Sequence, residues 1–148
     1  SPHAPFHSPG QDMPNDLFDE AFYARREHLF ERRTAELQGL NLVEPLQQLM
    51  RTRLNKPCRL IDPDRVDPNT LLNVTETIDP NLLLAVSIRI FTNVNENRRG
   101  LPELFVAQNG RTRFVEAKQP GEALTGAQMK WMRYLGENGP APILAFVG

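Results

Sequence analysis

The stretch "LPELFVAQNGRTRFVEAK", residues 101–118, decides the fold because it contains a turn that sets how two strands pair. Asn109 and Gly110 stand between two apolar runs. A type I′ turn needs positive φ at both central residues, and the pair Asn-Gly adopts that conformation readily. The sequence therefore predicts a β-hairpin with Asn109 and Gly110 at its tip.

The tip of this hairpin also sets the pairing of the residues that lead away from it. Counting outward, Phe105 faces Phe114, and Glu103 lies opposite Glu116 with their Cβ atoms roughly 5 Å apart. Side chains of a strand alternate between the two faces of a sheet, so Lys118 points the same way as Phe114 and Glu116. The hairpin is therefore expected to place two carboxylates and an ammonium group in one patch.

Two glutamates directly opposite each other repel unless something positive lies between them. A divalent cation is one candidate, because hard ions such as Mg²⁺ take oxygen ligands from one or two carboxylates and keep several waters. Lys118 could then orient one of those waters or help to deprotonate it. The alternative is a solvated surface hairpin in which Lys118 only neutralises its neighbours.

The segments on both sides of the turn resemble the signature of the VRR-NUC nucleases, a branch of the PD-(D/E)XK phosphodiesterase superfamily. They read "RRGLPELF" and "FVEAK". In that family a Pro precedes the first acidic residue at the start of a strand, and the second strand carries Glu-x-Lys. Pro102, Glu103, Glu116 and Lys118 match these positions, and Gln128 matches a glutamine on the following helix.

This resemblance implies a divalent-metal site with Mg²⁺ or Mn²⁺ as the cofactor. Glu103, Glu116 and the backbone carbonyl of Ala117 would hold the ion. Lys118 would position the attacking water, and Gln128 would steady Lys118 or the substrate. The implied activity is that of a metal-dependent deoxyribonuclease, which hydrolyses phosphodiester bonds.

The sequence departs from the family pattern at two positions and lacks one expected residue. The family usually has Asp where Glu103 stands and Val where Ala117 stands. It also has a catalytic Glu on an upstream helix, which the alignment places immediately before Ser1. Either the chain is a shortened piece that has lost this Glu, or Glu20 or Glu44 takes its role. The segment "VEPLQQLM" around Glu44 imitates the helix Glu and nearby Gln of smaller family members.

Two longer segments are similar to bacterial Fanconi-associated nucleases, the structure-specific members of this family. They read "NDLFDEAFYARREHLFERRTAELQ" and "DPNLLLAVSIRIFTNVNENRRGLPEL". This similarity implies a repair nuclease for branched or flapped DNA, acting in the cytoplasm of its own cell.

Two alternatives remain for the biological role. Nuclease domains of this type also occur in type VI secretion effectors, so the chain could be an antibacterial toxin domain that acts in a target cell and is neutralised by an immunity protein. A short domain behind a Pro-rich arm favours that role. A catalytically silent binding module with the same fold is the alternative from another class.

The net charge is −1, whereas a protein that binds nucleic acid through its overall charge is expected to be basic. DNA binding would depend instead on local patches of basic side chains that flank the carboxylates. Taken singly, Arg111 and Lys130 are as well explained by a solvated surface. The candidate DNA contacts are Arg98, Arg99, Arg111, Arg113, Lys130 and Arg133.

Composition limits the remaining function classes. A hydrophobic fraction of 40% in 148 residues is enough for one ordinary core. The single cysteine, Cys58, excludes an internal disulfide and a multi-thiolate metal site. No apolar run is long enough to cross a bilayer, so no membrane partner is expected.

The predicted organisation is a Pro-rich extended arm over residues 1–14 and one nuclease domain over residues 15–148. Residues 15–96 are expected to be helical, and residues 98–148 to contain the catalytic hairpin, a helix and a last strand. A right-handed crossover through that helix would bring the strand "PILAFVG" beside the Glu-x-Lys strand. The fold class is therefore α/β, a PD-(D/E)XK nuclease-like small mixed sheet flanked by helices, with a helical N-terminal half.

Local signals predict where the first helices begin and end. The first helix is expected over residues 17–38, with Asn15 or Asp16 as its N-cap and Gly39 at its end. A second helix is expected over residues 43–54, where leucines recur at helical spacing.

Three further helix starts follow along the chain. Asp67 and Asp79 each precede a proline, which is typical of an N-cap followed by the first helical residue. The segment 80–94 is predicted to be a helix, although its Val and Ile content also fits a buried strand. Thr125 and Gln128 have the spacing of a capping box, which gives Gln128 a purely structural alternative role.

Overall fold

The computed structural model of the protein describes residues 12–53 and 65–148. Most of the predicted arm, together with Leu54 and Cys58, lies outside these residues. No helix within the two described ranges is long and apolar enough to span a membrane. The elements of the described ranges are α1 (Glu27–Leu37), α2 (Val43–Arg53), α3 (Pro68–Thr77), α4 (Pro80–Thr92), α5 (Val94–Asn97), β1 (Leu104–Gln108), β2 (Arg111–Lys118), α6 (Gly126–Asn138) and β3 (Ile143–Phe146).

The hairpin of β1 and β2 turns at the predicted tip. Asn109 and Gly110 both have positive φ, 52° and 71°, as a type I′ turn requires. The strands are antiparallel, with Phe105 opposite Phe114, and the whole ladder follows the predicted register. The turn residues alone were sufficient to predict which side chains meet across the hairpin.

The sheet has the order β1-β2-β3, so the strand with the Glu-x-Lys motif lies at its centre. Strand β3 runs parallel to β2, and α6 provides the crossover that a parallel pair needs. Thr125 caps α6 as predicted, because its hydroxyl accepts the backbone N–H of Gln128. The mixed sheet, the last strand and the helix between them are thus confirmed.

The main hydrophobic core packs α4 and α6 against the face of β2 that carries Phe114. Trp131 and Leu135, four positions apart on α6, are 1% and 0% exposed. Burying each such side chain contributes about 1.5–3 kcal/mol, so α6 is firmly attached to the sheet. The indole N–H of Trp131 donates to the carbonyl of Asn97 at 3.1 Å, which also ties α6 to α5.

Helices α3 and α4 begin where the Asp-Pro pairs predict. The carboxylates of Asp67 and Asp79 each accept two backbone N–H groups of the first turn. The segment "LLLAVSIRIF" is helical in α4, so the strand alternative is wrong. Leu82 and Val86, four positions apart, are both buried in the core, which is the spacing of one helix face.

Helix α1 begins at Glu27, whereas the sequence predicted a start near position 17. The reason is that Asp16, an expected N-cap, takes part in an ion-pair network instead. Both carboxylate oxygens of Asp16 accept from the guanidinium of Arg26, at 2.8 and 2.9 Å, and one of them also accepts from Arg25 at 2.9 Å. Asp16 therefore caps no helix, and the segment before α1 consists of turns and a short 3₁₀ helix, Ala24–Arg26.

The segment before α1 is attached to the end of α4 by a second apolar cluster. Leu17 and Phe22 are buried against Val94, with Phe91 beside them. The guanidinium of Arg26 stacks on the ring of Phe22 at 4.4 Å, and its side chain is only 18% exposed. Arg26 thus packs against an aromatic ring in addition to its ion pair with Asp16.

Candidate active site

Glu116 lies on the central strand and is buried, with only 5% of its surface exposed. A buried carboxylate needs hydrogen bonds or a positive partner. Nε2 of Gln128 donates to Oε1 of Glu116, and Nζ of Lys118 lies 3.6 Å from the same oxygen. No hydrogen bond from residues 12–53 or 65–148 reaches Oε2, which leaves that oxygen available as a ligand.

Gln128 connects helix α6 to this carboxylate. Its Oε1 accepts the N–H of Thr125 at 2.9 Å, and its own backbone N–H donates to Oγ1 of Thr125 at 3.2 Å. Because the amide oxygen is used in this capping box, the NH₂ group is directed to Glu116. The capping box is confirmed, and the same side chain also contacts the buried glutamate.

Lys118 follows Glu116 by two positions and therefore lies on the same face of β2. Its side chain is 12% exposed. The 3.6 Å separation from Glu116 is longer than a direct hydrogen bond, so the ammonium group is an ion-pair partner with donors to spare. It can hydrogen-bond a water or a phosphate oxygen placed beside the carboxylate.

Glu103 occupies a bend immediately before β1, after the buried Pro102. The ladder ends with Leu104 opposite Val115, and one further step in the same register places Glu103 across from Glu116. Glu103 is exposed, and it forms no ion pair or hydrogen bond within the described part of the chain. The two carboxylates therefore differ, since one is buried and restrained and the other is open to solvent.

The carboxylate oxygens of the hairpin are the type of ligand that a hard divalent cation prefers. Mg²⁺ binds through one or two carboxylates and keeps water or substrate oxygens in its other positions. Glu44 does not join the two hairpin glutamates, because the described residues contain no group of three His, Cys, Asp or Glu side chains that could hold a metal ion. Glu44 is instead exposed in the first turn of α2, which packs against α3.

A basic cavity of about 370 Å³ lies beside the first turn of α6. Arg89, Arg99 and Lys130 line it, and Glu96 is the acidic residue in its wall. Three cations at the N-terminus of a helix favour an anion such as a phosphate group. Two predicted DNA contacts are thus brought together here, while Arg133 is exposed further along α6.

Sequence patterns did not single out Arg89, which projects from α4. Its guanidinium stacks on the rings of Trp131 and Tyr134, at 4.9 and 4.5 Å. Its Nε is buried and has no hydrogen-bond partner in the described ranges. The signal that could have revealed Arg89 is its position as the single charge within the apolar run "LLLAVSIRIF".

Gly100 holds the segment with Arg98 and Arg99 close to α6. It has a φ of 84°, and a Cβ at this position would lie 2.6 Å from the carbonyl carbon of Ala127. Glycine is the residue that permits both the left-handed backbone and this close approach. The guanidinium of Arg98 stacks on the ring of Phe18 at 5.1 Å, so this arginine links the hairpin entrance to the N-terminal turns.

Arg111 and Arg113 do not flank the carboxylates, and that expectation was wrong. Alternation along β2 places both arginines with Val115 on the opposite sheet face from Glu116. Arg113 donates from Nη1 to the carbonyl of Ala141 at 2.8 Å. Arg111 is five positions from Glu116, which is roughly 17 Å along a strand. The same parity that grouped Lys118 with Glu116 could have excluded these two from the site.

The fold built around this hairpin is similar to that of a solved structure, paFAN1. The chain superposes on paFAN1 with a TM-score of 0.82 in two crystal structures, in which paFAN1 is bound to 2-nt and 1-nt 5′-flap DNA with a gap. The superposition covers 97% of this chain and 27% of each solved chain, with 24% and 23% sequence identity.

Sequence comparison gives the same relationship. The chain is 28% identical over 135 residues to the Fanconi-associated nuclease 1 homolog of Pseudomonas aeruginosa. The match covers 90% of this chain and 23% of the relative's length. No family model matches the chain. The resemblance to Fanconi-associated nucleases that the motifs predicted is confirmed over most of the chain.

Proposed function

We propose that the chain is a divalent-metal-dependent DNA nuclease of the VRR-NUC type that acts on branched or flapped DNA. One observation carries the proposal. Glu116 is buried, contacts both Lys118 and Gln128, and lies across from a second glutamate, Glu103. Two glutamates beside one lysine leave excess negative charge, which a divalent cation can neutralise.

Each residue of this group has a distinct role. Glu103, Glu116 and the carbonyl of Ala117 would hold Mg²⁺ or Mn²⁺, which supplies Lewis-acid stabilisation of the charge on phosphate and a more acidic water. Lys118 hydrogen-bonds the attacking water and keeps it in line with the phosphorus. Gln128 restrains Oε1 of Glu116 and so leaves Oε2 for the ion.

DNA would be held by the basic side chains beside the first turn of α6, the turn that carries Gln128. Arg99 and Lys130 meet Arg89 in the cavity next to α6, where backbone phosphates would be neutralised. The arginines on the far side of β2 would not contact the strand that is cut. Two solved neighbours, paFAN1 bound to 5′-flap DNA, support flapped DNA as the substrate class.

The similarity to a Fanconi-associated nuclease homolog favours a repair role over that of a delivered toxin with an immunity protein. A silent binding module remains a second candidate because of one observation. No third acidic side chain from the described ranges joins Glu103 and Glu116. The two candidates differ in both cleavage and ion binding, because the silent module keeps the fold but not the ion.

Cleavage of flapped DNA in Mg²⁺ or Mn²⁺, with EDTA as the blank, tests the proposal. The wild-type chain should cut in the presence of metal, and Lys118→Ala should not. Glu137→Gln is the matched control, because Glu137 is an exposed acid on α6 with no contact to the site. Metal at a hundredfold excess over its Kd should add about 2.7 kcal/mol of stability. Cleavage together with a saturable rise in Tm supports the nuclease, whereas the absence of both effects refutes it and is the result expected of the silent module.

A further inference from the structure

The third strand places a phenylalanine next to the lysine of the Glu-x-Lys motif. In the parallel pairing of β2 and β3, Leu144 is the neighbour of Glu116 and Phe146 is the neighbour of Lys118. Adjacent strands are about 4.8 Å apart, and paired residues point to the same face. The ring of Phe146 therefore leaves the sheet on the face of the proposed active site, beside Lys118.

Phe146 differs from the other phenylalanines on this face. Phe114 is 9% exposed and lies in contact with Phe105 at a ring distance of 5.1 Å, whereas Phe146 is 59% exposed. The backbone around Phe146 is well held, because Val147 N–H donates to the carbonyl of Lys118 at 2.8 Å. A rigid backbone thus presents a largely solvated aromatic ring at the edge of the sheet.

Single exposed apolar side chains are common, so the position of the ring matters more than its exposure. A DNA strand whose phosphate lies at Glu116 and Lys118 has its neighbouring bases within reach of the next strand of the sheet. Unpaired bases stack on aromatic side chains with little sequence preference, because every base has a π-face. Paired bases inside a duplex offer no such face.

We propose that Phe146 is a stacking platform for an unpaired base next to the phosphate that is cut. The inference rests on the proposed nuclease function and adds to it a source of preference for flapped or single-stranded DNA. Phe146 is a positioning residue in this scheme. It holds the nucleotide equally in the ground state and the transition state, so its loss should raise KM and leave kcat nearly unchanged.

The chain supplies a matched control in the next residue. Val147 is 57% exposed, almost the same as Phe146, but alternation places it on the opposite face of β3. Phe146→Ala should raise KM for flapped DNA about tenfold, equivalent to about 1.4 kcal/mol, while Val147→Ala should change it less than twofold. On fully paired duplex both variants should equal the wild type.

Two further substitutions separate stacking from simple apolar contact. Phe146→Trp should bind flapped DNA at least as well as the wild type, because it keeps a larger aromatic face. Phe146→Leu keeps an apolar side chain without that face and should behave like Phe146→Ala. Binding is measured in EDTA by fluorescence of 2-aminopurine placed at the flap, where stacking on the ring changes the emission.

Four results would overturn the proposal. Binding of flapped DNA by Phe146→Leu as tight as that of the wild type refutes it, because leucine has no aromatic face. A large fall in Tm in Phe146→Ala would show that the ring packs against protein. If the wild type cuts flapped DNA and Lys118→Ala abolishes cutting, but Phe146→Ala equals Val147→Ala, only the stacking role fails. If the wild type neither binds nor cuts flapped DNA, the nuclease proposal fails as well.

Discussion

Two groups of carboxylates in this protein are built in opposite ways. The aspartate cluster consists of two acids, Asp16 and Asp19, and two bases, Arg25 and Arg26. Ion pairs of 2.8–2.9 Å link its members. In the glutamate pair, Glu103 and Glu116, the ammonium of Lys118 lies 3.6 Å from Glu116, whereas Glu103 forms no ion pair within the described part of the chain.

The difference in charge balance separates a structural cluster from a functional one. Hydrogen bonds from Arg26, and then from Arg25, lower the pKa of Asp16, and Arg25 lowers that of Asp19. The bidentate contact of Arg26 with Asp16 is a strong, geometrically specific form of ion pair. The aspartate cluster is therefore complete within the protein, whereas the glutamate pair has excess negative charge that a cation can neutralise.

The largest effects are expected from the glutamate pair and its lysine. Glu116→Gln and Lys118→Ala should each lower cleavage on the order of 10³-fold, about 4 kcal/mol of transition-state stabilisation. Only Glu116→Gln should also remove the Mn²⁺-dependent rise in Tm, because Lys118 is not a ligand. Cleavage rates and melting curves for the two variants measure this. A thermal shift that both variants retain would remove Glu116 from the ion site.

Substitutions of Glu103 sharpen the comparison within the pair. Glu103→Gln keeps the shape and removes the charge, so we expect a loss on the order of a hundredfold in kcat/KM. Glu103→Asp restores the usual residue of the VRR-NUC family and should stay within tenfold of the wild type. Steady-state kinetics on flapped DNA compare the variants, and equal activity of Gln and Glu would mean that this position binds no metal.

Neutralising the aspartate cluster should affect stability instead of activity. Asp16→Asn removes a charged acceptor from Arg26 and should lower the free energy of unfolding by about 1 kcal/mol at pH 7. Since the folded-state pKa of Asp16 lies below its ordinary 3.8, its contribution is present above that pH and is lost as the pH falls through the lowered pKa.

Urea unfolding of wild type and Asp16→Asn at several pH values tests this. The difference between them should be constant near neutral pH and shrink below pH 3.8. Asp19→Asn provides a comparison, because Asp19 is more exposed and should matter less. A difference that persists unchanged in acid would mean that Asp16 acts through packing.

The smallest effect is expected at Glu44. This residue is exposed on α2 and belongs to neither group of carboxylates. Glu44→Gln should therefore leave cleavage within twofold of the wild type. A tenfold loss in Glu44→Gln, about 1.4 kcal/mol, would instead make it the third acidic group of the site.

The sequence was most informative where local geometry dictates the structure. Asn109 and Gly110 determine the hairpin register, and the capping residues Asp79 and Thr125 mark the starts of α4 and α6. These signals depend on neighbours within a few positions. The pairing of Glu116 with Lys118 could be predicted because it needs only strand alternation.

Errors arose where distant partners compete with local signals. Aspartate is a residue type favoured as a helix N-cap, but at Asp16 the arginines nine and ten positions later bind the carboxylate instead. The cavity around Arg89 joins α4, α5 and α6, which no local pattern connects. Side-chain partners of this kind depend on the assembled tertiary structure.

The double role of Gln128 has a consequence for motion at the active site. Its amide oxygen accepts from the N–H of Thr125, and its amide nitrogen donates to Glu116. Fraying of the first turn of α6 therefore also breaks the hydrogen bond to the carboxylate. Helix ends open with small free energies, and each opening exposes the bonded amide to solvent. The hydrogen-exchange rate of the Thr125 amide therefore reports how often the contact between Gln128 and Glu116 is lost.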